Sequence, residues 1–321
     1  MGTTLDLVLE APRRAAALAA SELAVAAVEA VEERLSTWRA GSELSRLNRS
    51  GLGEPRELSR ELGGELARAF AWREVTGGAF DPALGPLLTA WDLHGKGRRP
   101  SAGELADALS NSGPDAFRGE LPWRLVRLRP GAGLDAGGFG KGAALDAALA
   151  ELRRVGVLRA RLDFGGQLAV LGASPAHISA IAAPDERARG VLEIELAEGS
   201  LATSGNSERA LVIDGERVGH LLDPRSGEPA EDFGSVTVWC PSAFDADCLS
   251  TGLFVLGPEG ALDFAARRPG VEVVVLTRAG DRLRARASSG LRGRLHSLDP
   301  SLSIEWIPTS PTLADEGGPQ R

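Results

Sequence analysis

No stretch of this chain approaches the roughly 18 to 20 consecutive apolar residues of a membrane-spanning helix, so a helical membrane protein is excluded. Basic residues are the minority, 36 against 44 acidic, with net charge -8. No Lys/Arg cluster is long enough to follow a phosphate backbone, which argues against nucleic-acid binding. Cysteine is nearly absent. Cys240 and Cys248 carry no CxxC or Cys/His spacing and read as packed thiols rather than metal ligands or a disulfide. The start, Met1 to Leu5, lacks a basic segment, an apolar segment and a cleavage site, so the expected location is cytoplasmic. Lysine is scarce as well: only Lys96 and Lys141 among the 36 basic residues. A compact charge at 141 is therefore suggestive in a chain that otherwise uses arginine.

What is present is ordinary globular material. Hydrophobic residues make up 43% and charged residues 25% of 321, enough for a substantial core in one large domain or two small ones. Thr3 to Glu10 alternates like an edge strand, and Arg13 to Leu35 is Ala-rich with helical spacing. Ser36 to Gly53, with Trp38 and Asn48, reads as a functional loop. Arg56 to Val75 reads as a helix closed by Gly77-Gly78 in a left-handed end. Gly95 to Pro122 is punctuated by Gly, Pro and Ser around one short helix, 102–110. From Trp123 the chain turns β-rich, with strands near 123–128, 159–163, 168–171, 176–182, 191–196, 209–213, 235–239, 271–276 and 282–287. Helices interrupt near 143–155 and 245–256, and a Pro/Gly/Ser-rich tail from Pro308 is expected to be disordered. Without a regular βαβ repeat, the expected class is α+β: mixed sheets flanked by helices, in a domain over 1–307 with possible sub-lobes 1–122 and 123–307.

Three segments carry chemistry. Leu134-Asp135-Ala136-Gly137-Gly138-Phe139-Gly140-Lys141-Gly142 opens a helix, an arrangement that offers backbone N–H groups and a lysine to a diphosphate. GxGxxG fails at Ala143, and GxxxxGK[ST] fails at Asp135 and Gly142, so it is neither a dinucleotide fingerprint nor a P-loop. Asp247 and Thr251, one helical turn apart, place two hard oxygens on one face, suited to Mg²⁺; equally, Asp247 is placed to cap its helix. In Gly219-His220-Leu221-Leu222-Asp223-Pro224-Arg225-Ser226-Gly227, turn chemistry accounts for 223–227 and leaves His220 over. Thr203-Ser204-Gly205 through Arg209 offers hydroxyls and a guanidinium to a phosphate, or is a plain loop into a strand. Thr76 to Pro82, with Trp38 and Trp91, forms either a slot for a flat ring or core.

Taken in order, these segments resemble the ApbE family of FAD:protein FMN transferases. The matching text is MGTT, STWRAGSELSRLN, TGGAFDPALGPLLTAW, LDAGGFGKG, LDFGGQ, ATSGNSER, HLLDPRSGEP, SVTV and ADCLSTGLFVLG, from residue 1 to about residue 277. The resemblance implies an ApbE-like fold with a central FAD and Mg²⁺ cleft, and transfer of FMN from FAD to a Thr or Ser hydroxyl of an acceptor flavoprotein. It implies Mg²⁺ on Asp247 and Thr251 with a backbone oxygen near Gly138, and Ser250 where some members have a further carboxylate. Met1, Trp38, Ala79, Phe80, Asp81, Asp135, Lys141, Ser204 and Leu221 match positions lining FAD, and His220 and Asp223 match the HxxDP pair beside the diphosphate, catalytic residues of which either one could take the proton of the incoming Thr or Ser hydroxyl. The rivals are an Mg²⁺-dependent FAD pyrophosphatase and a non-catalytic FAD-binding protein.

Overall fold

The structure is a computed structural model, and residues 2–172, 175–206, 211–280 and 282–309 are described. In chain order these form β1 (Leu5–Glu10), α1 (Arg14–Leu35), α2 (Glu43–Asn48), β2 (Pro55–Glu57), α3 (Arg60–Val75), α4 (Gly85–Ala90), α5 (Ala102–Ser110), β3 (Phe117–Glu120), β4 (Arg124–Arg127) and α6 (Gly140–Arg154). There follow β5 (Arg159–Phe164), β6 (Gln167–Leu171), β7 (His177–Ala183), β8 (Glu186–Leu196), β9 (Gly199–Gly205), β10 (Leu211–Ile213), β11 (Glu216–Val218) and β12 (Gly234–Cys240). Last come α7 (Ala243–Ala266), β13 (Glu272–Ala279), β14 (Arg282–Ser288), β15 (Leu295–Ser297) and β16 (Ile304–Ile307).

One eight-stranded sheet in the order β1-β5-β6-β9-β12-β13-β14-β16 organises the molecule. It is antiparallel except for the β14–β16 pair. Period-two alternation decides what each face meets. On β6, Ala169 and Leu171 join the helical core of α1 and α6, while Leu168 and Val170 join the core under the β15-β8-β7 sheet. On β13, Val273 and Val275 pack on α7, while Val274 and Leu276 face that second sheet. Both faces are thus covered, which is why β6 is buried along its whole length. The class is α+β, as expected. A smaller cluster joins Leu87, Ala90 and Trp91 of the α4 region to Ala108, Ile213, Val218 and Leu222, tying the β10–β11 hairpin to α4 and α5.

Serine caps account for four of the seven α-helix starts among the described residues. Serines 42, 59, 101 and 242 each accept a backbone N–H from the first turn of α2, α3, α5 and α7. The α3 C-terminus closes as expected: Gly77 has φ 61°, its N–H donates to Glu74 O (3.1 Å), and Gly78 N–H donates to Arg73 O (2.9 Å), a Schellman arrangement.

Four expectations need correction. The 36–53 segment contains helix α2, capped by Ser42. The helix expected from Arg56 begins at Arg60, because Ser59 caps it and Pro55–Glu57 pairs with β4. Thr203 to Gly205 is the end of strand β9 rather than a loop, since it pairs with Ser235 to Thr237 of β12. The helix expected to stop at Leu256 kinks there, at Gly257 (φ 78°, ψ 177°) before Pro258, and continues to Ala266. Residues 310–321 of the expected tail lie outside the described residues, as do Arg209 and Ala210 of the 209–213 strand.

Both cysteines are free and buried. Burial, with Asp245 nearby, pushes the Cys240 thiol up to about 12, and burial pushes Cys248 well above its usual value. A protonated thiol is not a nucleophile. The native protein should therefore leave both thiols unreacted with a disulfide reagent at about pH 8 and release both in denaturant. Fast native labelling of either one would contradict the packing.

Candidate active site

The site is built where the start of α6 meets the start of α7. Gly142 makes the approach possible: a Cβ there would lie 2.2 Å from Ala243 O and 2.6 Å from Phe244 Cα. One turn further along the same face of α6, the Asp146 carboxylate accepts from Ala243 N–H (2.7 Å), Phe244 N–H (3.2 Å) and Ser242 Oγ–H (2.7 Å). Those are the orphan donors of the α7 N-terminus, so Asp146 locks the two helices in register.

That register delivers Asp247 to the glycine loop. Its Oδ2 accepts from Gly142 N–H (3.0 Å) and its Oδ1 from Lys141 Nζ (3.0 Å). Asp247 is only 3% exposed, and the cap of its own helix is Ser242. The capping alternative thus falls: Asp247 serves the start of α6 instead. Thr251 follows one turn along α7, and a Cβ on Gly138 would lie 3.4 Å from Thr251 Oγ1 and 3.0 Å from Phe80 Cε2. The loop glycines at 137, 138 and 142 have no positive φ. At 142 glycine is required by close approach rather than by left-handed backbone, and at 138 the contact is tight. Phe80 also packs on Gly252, where a Cβ would lie 2.9 Å from its Cβ. The Thr76–Pro82 segment therefore touches the glycine loop and α7 together.

Around this centre the remaining residues fall into three groups. The first surrounds Asp135. Asn48 clamps the backbone before it, donating Nδ2–H to Leu134 O and accepting Leu134 N–H, both at 2.8 Å. Burial pushes the Asp135 carboxyl up, against hydrogen bonds from Gly137 N–H and Thr37 and the nearby His94. His94 Nε2 stands 3.9 Å from Asp135 Oδ2, and its ring lies 4.9 Å from the Trp38 ring. Trp38 is 70% exposed, so an aromatic face is held at the rim beside the half-buried Asp135 carboxyl. Trp91 is the opposite case: 1% exposed, with Nε1–H donated to Gly227 O (2.8 Å), it is core.

The second group is the His220–Gly227 segment. Gly219 lies against the buried Asn206 at the end of β9, where a Cβ would come within 2.5 Å of Nδ2. His220 follows, half-buried. Asp223 is engaged by Arg225 through N–H (2.9 Å), Nε (2.8 Å) and Nη2 (2.8 Å). Partial burial raises the Asp223 carboxyl, but the Arg225 bonds outweigh it and leave it below the usual carboxylate range. Arg225 in turn lies against Gly78, whose Cβ would sit 3.7 Å from its Cγ. The third group is a hydroxyl pair: Ser204 Oγ–H donates to Ser250 Oγ (3.0 Å), which donates to Asp247 O (3.1 Å).

The glycine loop, the Thr76–Pro82 segment, the end of β9 and the start of α7 thus meet around Asp247, and the His220–Gly227 segment lies against Asn206 and Gly78. Residues 1–275 match the ApbE family. The chain belongs to the ApbE family. The FAD:protein FMN transferase of Treponema pallidum is 31% identical over 302 residues, covering 84% of this chain and 80% of that protein. The Escherichia coli K12 protein of the same description is 30% identical over 266 residues, covering 79% and 75%. The flavin transferase ApbE from Vibrio cholerae superposes with a TM-score of 0.79 at 27% identity over 92% of this chain and 96% of that one. The ApbE protein from Thermotoga maritima gives 0.80 at 28% identity over 88% and 93%.

Within the ApbE-like fold, the positions expected to line FAD divide by exposure. Trp38 and Lys141 reach the surface of the site. Ala79, Phe80 and Asp81 are buried, with Asp81 held by Arg73 Nε (2.6 Å) and Ala83 N–H (2.8 Å). Burial nevertheless pushes the Asp81 carboxyl up. Leu221 is half-buried against the α7 core, and Met1 lies outside the described residues. Sequence reading missed His94, Asn48 as a loop clamp, and Asp146. His94 is one of only four histidines, and that rarity was the available signal. No helix among the described residues is long and apolar enough to cross a membrane.

The donor set also bears on a metal. Among the described residues no group of three or more His, Cys, Asp and Glu stands together, so neither a zinc cluster nor a caged calcium fits. One carboxylate and one hydroxyl a turn apart on α7, beside loop backbone, suit Mg²⁺, which takes one or two carboxylates and completes its shell with water and substrate phosphates.

Proposed function

We propose that this chain transfers the FMN half of FAD to a Thr or Ser hydroxyl of an acceptor protein, with Mg²⁺ held by Asp247, Thr251 and loop backbone near Gly138. The observation that carries the reading is the meeting of Asp247 with the glycine loop at Lys141 and Gly142. The family's members named above as FAD:protein FMN transferases support the reaction class. When bound, Mg²⁺ would neutralise charge on the diphosphate and on the leaving phosphate.

The chain's own residues supply the rest. Lys141 places a positive charge at the start of α6, next to the diphosphate. Trp38, the Phe80 wall and Asp135 hold the ring system, and Ser204 lies beside the metal turn. His220 takes the proton of the acceptor hydroxyl as its oxygen bonds to the FMN phosphorus. The phosphoanhydride then breaks, AMP leaves, and FMN remains as a phosphoester. Asp223, paired with Arg225 and of lowered pKa, is a weak base while so held and positions the His220 segment.

The test combines AMP release with mass spectrometry of the acceptor. AMP formation that requires the acceptor, with an FMN adduct on a Thr or Ser, supports transfer; AMP formation without acceptor supports hydrolysis, and none at all supports a carrier. His220→Ala should leave FAD affinity within a few-fold and slow transfer by about 10²–10⁴. Loss of FAD binding in that variant would remove the base assignment.

A further inference from the structure

One of only two lysines in the chain is placed on the carboxylate of the cation site. Lys141 Nζ lies 3.0 Å from Asp247 Oδ1, with Asp247 buried and the lysine side chain 32% exposed. The other carboxylate oxygen already accepts Gly142 N–H. Among the described residues no group of three or more His, Cys, Asp and Glu is gathered at Asp247. Asp245, two residues earlier, is turned to Trp72 Nε1 and Arg68. A single negative charge cannot balance an ammonium and a divalent cation a few ångströms apart, because the two positive charges repel.

We propose that Lys141 is a surrogate cation for Asp247: it neutralises the buried carboxylate until the dinucleotide arrives, then passes its ammonium to the diphosphate while the carboxylate takes the divalent cation. Cation and dinucleotide then bind cooperatively, and by linkage each raises the affinity of the other by the same factor. The residue type fits the role. A lysine is a point charge on a flexible stem and can change partner, whereas an arginine would grip the carboxylate with a rigid fork. The inference rests on the reading that Asp247 and Thr251 hold the cation and that FAD's diphosphate lies over the glycine loop.

The test is calorimetric titration of Mn²⁺, as a probe for the divalent cation, into the full chain with and without FAD, for wild type, Lys141→Met and Lys141→Arg. Wild type should bind Mn²⁺ weakly alone and much more tightly with FAD. Lys141→Met should bind Mn²⁺ alone about tenfold more tightly than wild type, and the gain on adding FAD should shrink. Lys141→Arg, which keeps the charge, should stay as weak for Mn²⁺ alone as wild type. Mn²⁺ binding alone that is unchanged or weaker in Lys141→Met overturns the proposal. If Lys141→Met does not fold in chelator, Lys141→Gln gives the same answer by melting: Mn²⁺ without FAD should stabilise it at concentrations that leave wild type unmoved, and an equal response overturns the idea. The two readings fail separately. Cooperative binding without AMP release removes the transferase reading alone, and AMP release with an unchanged Lys141→Met titration removes the surrogate cation alone.

Discussion

Asp247→Ala is expected to lower Mg²⁺-dependent AMP release from FAD by at least about 10³-fold, because it removes the carboxylate proposed to hold the cation. The same substitution strips the acceptor from Gly142 N–H and the partner from Lys141, so some fall in melting temperature should accompany it, on the order of 1–3 kcal/mol of stability. Asp247→Asn separates the two effects. The amide oxygen can still accept Gly142 N–H, so folding should be largely kept while turnover stays lost. Undiminished Mg²⁺-dependent turnover in Asp247→Ala would remove the site as placed here.

Gly142→Ala is expected to damage stability and turnover together through a single methyl group. The new Cβ would meet Ala243 O, Ala243 C and Phe244 Cα at 2.2–2.6 Å, all backbone, with no flexible side chain to give way. The α6–α7 contact must open, at about 3 kcal/mol, and Asp247 is then carried away from Lys141. Stability and turnover should fall together, read by thermal melting and AMP release. Gly64→Ala in α3 is the control: nothing lies within 4 Å of its Cβ position, and replacing a mid-helix glycine should raise stability by about 0.5–1 kcal/mol. Equal melting curves for Gly142→Ala and wild type would show that the close approach does not exist.

Both results turn on long-range proximity. Asp247 and Gly142 are 105 positions apart, and Trp91 and Gly227 are 136 apart. No periodicity or capping rule reaches that far. Asp247 in sequence was as good a helix cap as a ligand, and it caps a helix indeed, but the one that starts at Gly140. Trp38 and Trp91 looked alike as aromatic residues near functional text. Burial separated them, one into the core against Gly227 and the other to the rim beside His94.

The sequence by itself determined what depends on near neighbours in the chain. The serine caps, the Gly77-Gly78 helix end, the alternation along β6 and β13, the kink expected as an end at Leu256, and the ordered motifs that identify the family are all written within a few residues of where they act. Only the tertiary structure decided which groups meet: that Gly142 lets α6 touch α7, that Asp146 fixes their register, that Lys141 pairs with Asp247, and that His94 stands by Asp135. The reason is physical. Backbone conformation and hydrophobic period are set locally by sterics and solvation, whereas a side chain's partner is set by the packing of whole elements, to which every distant residue contributes.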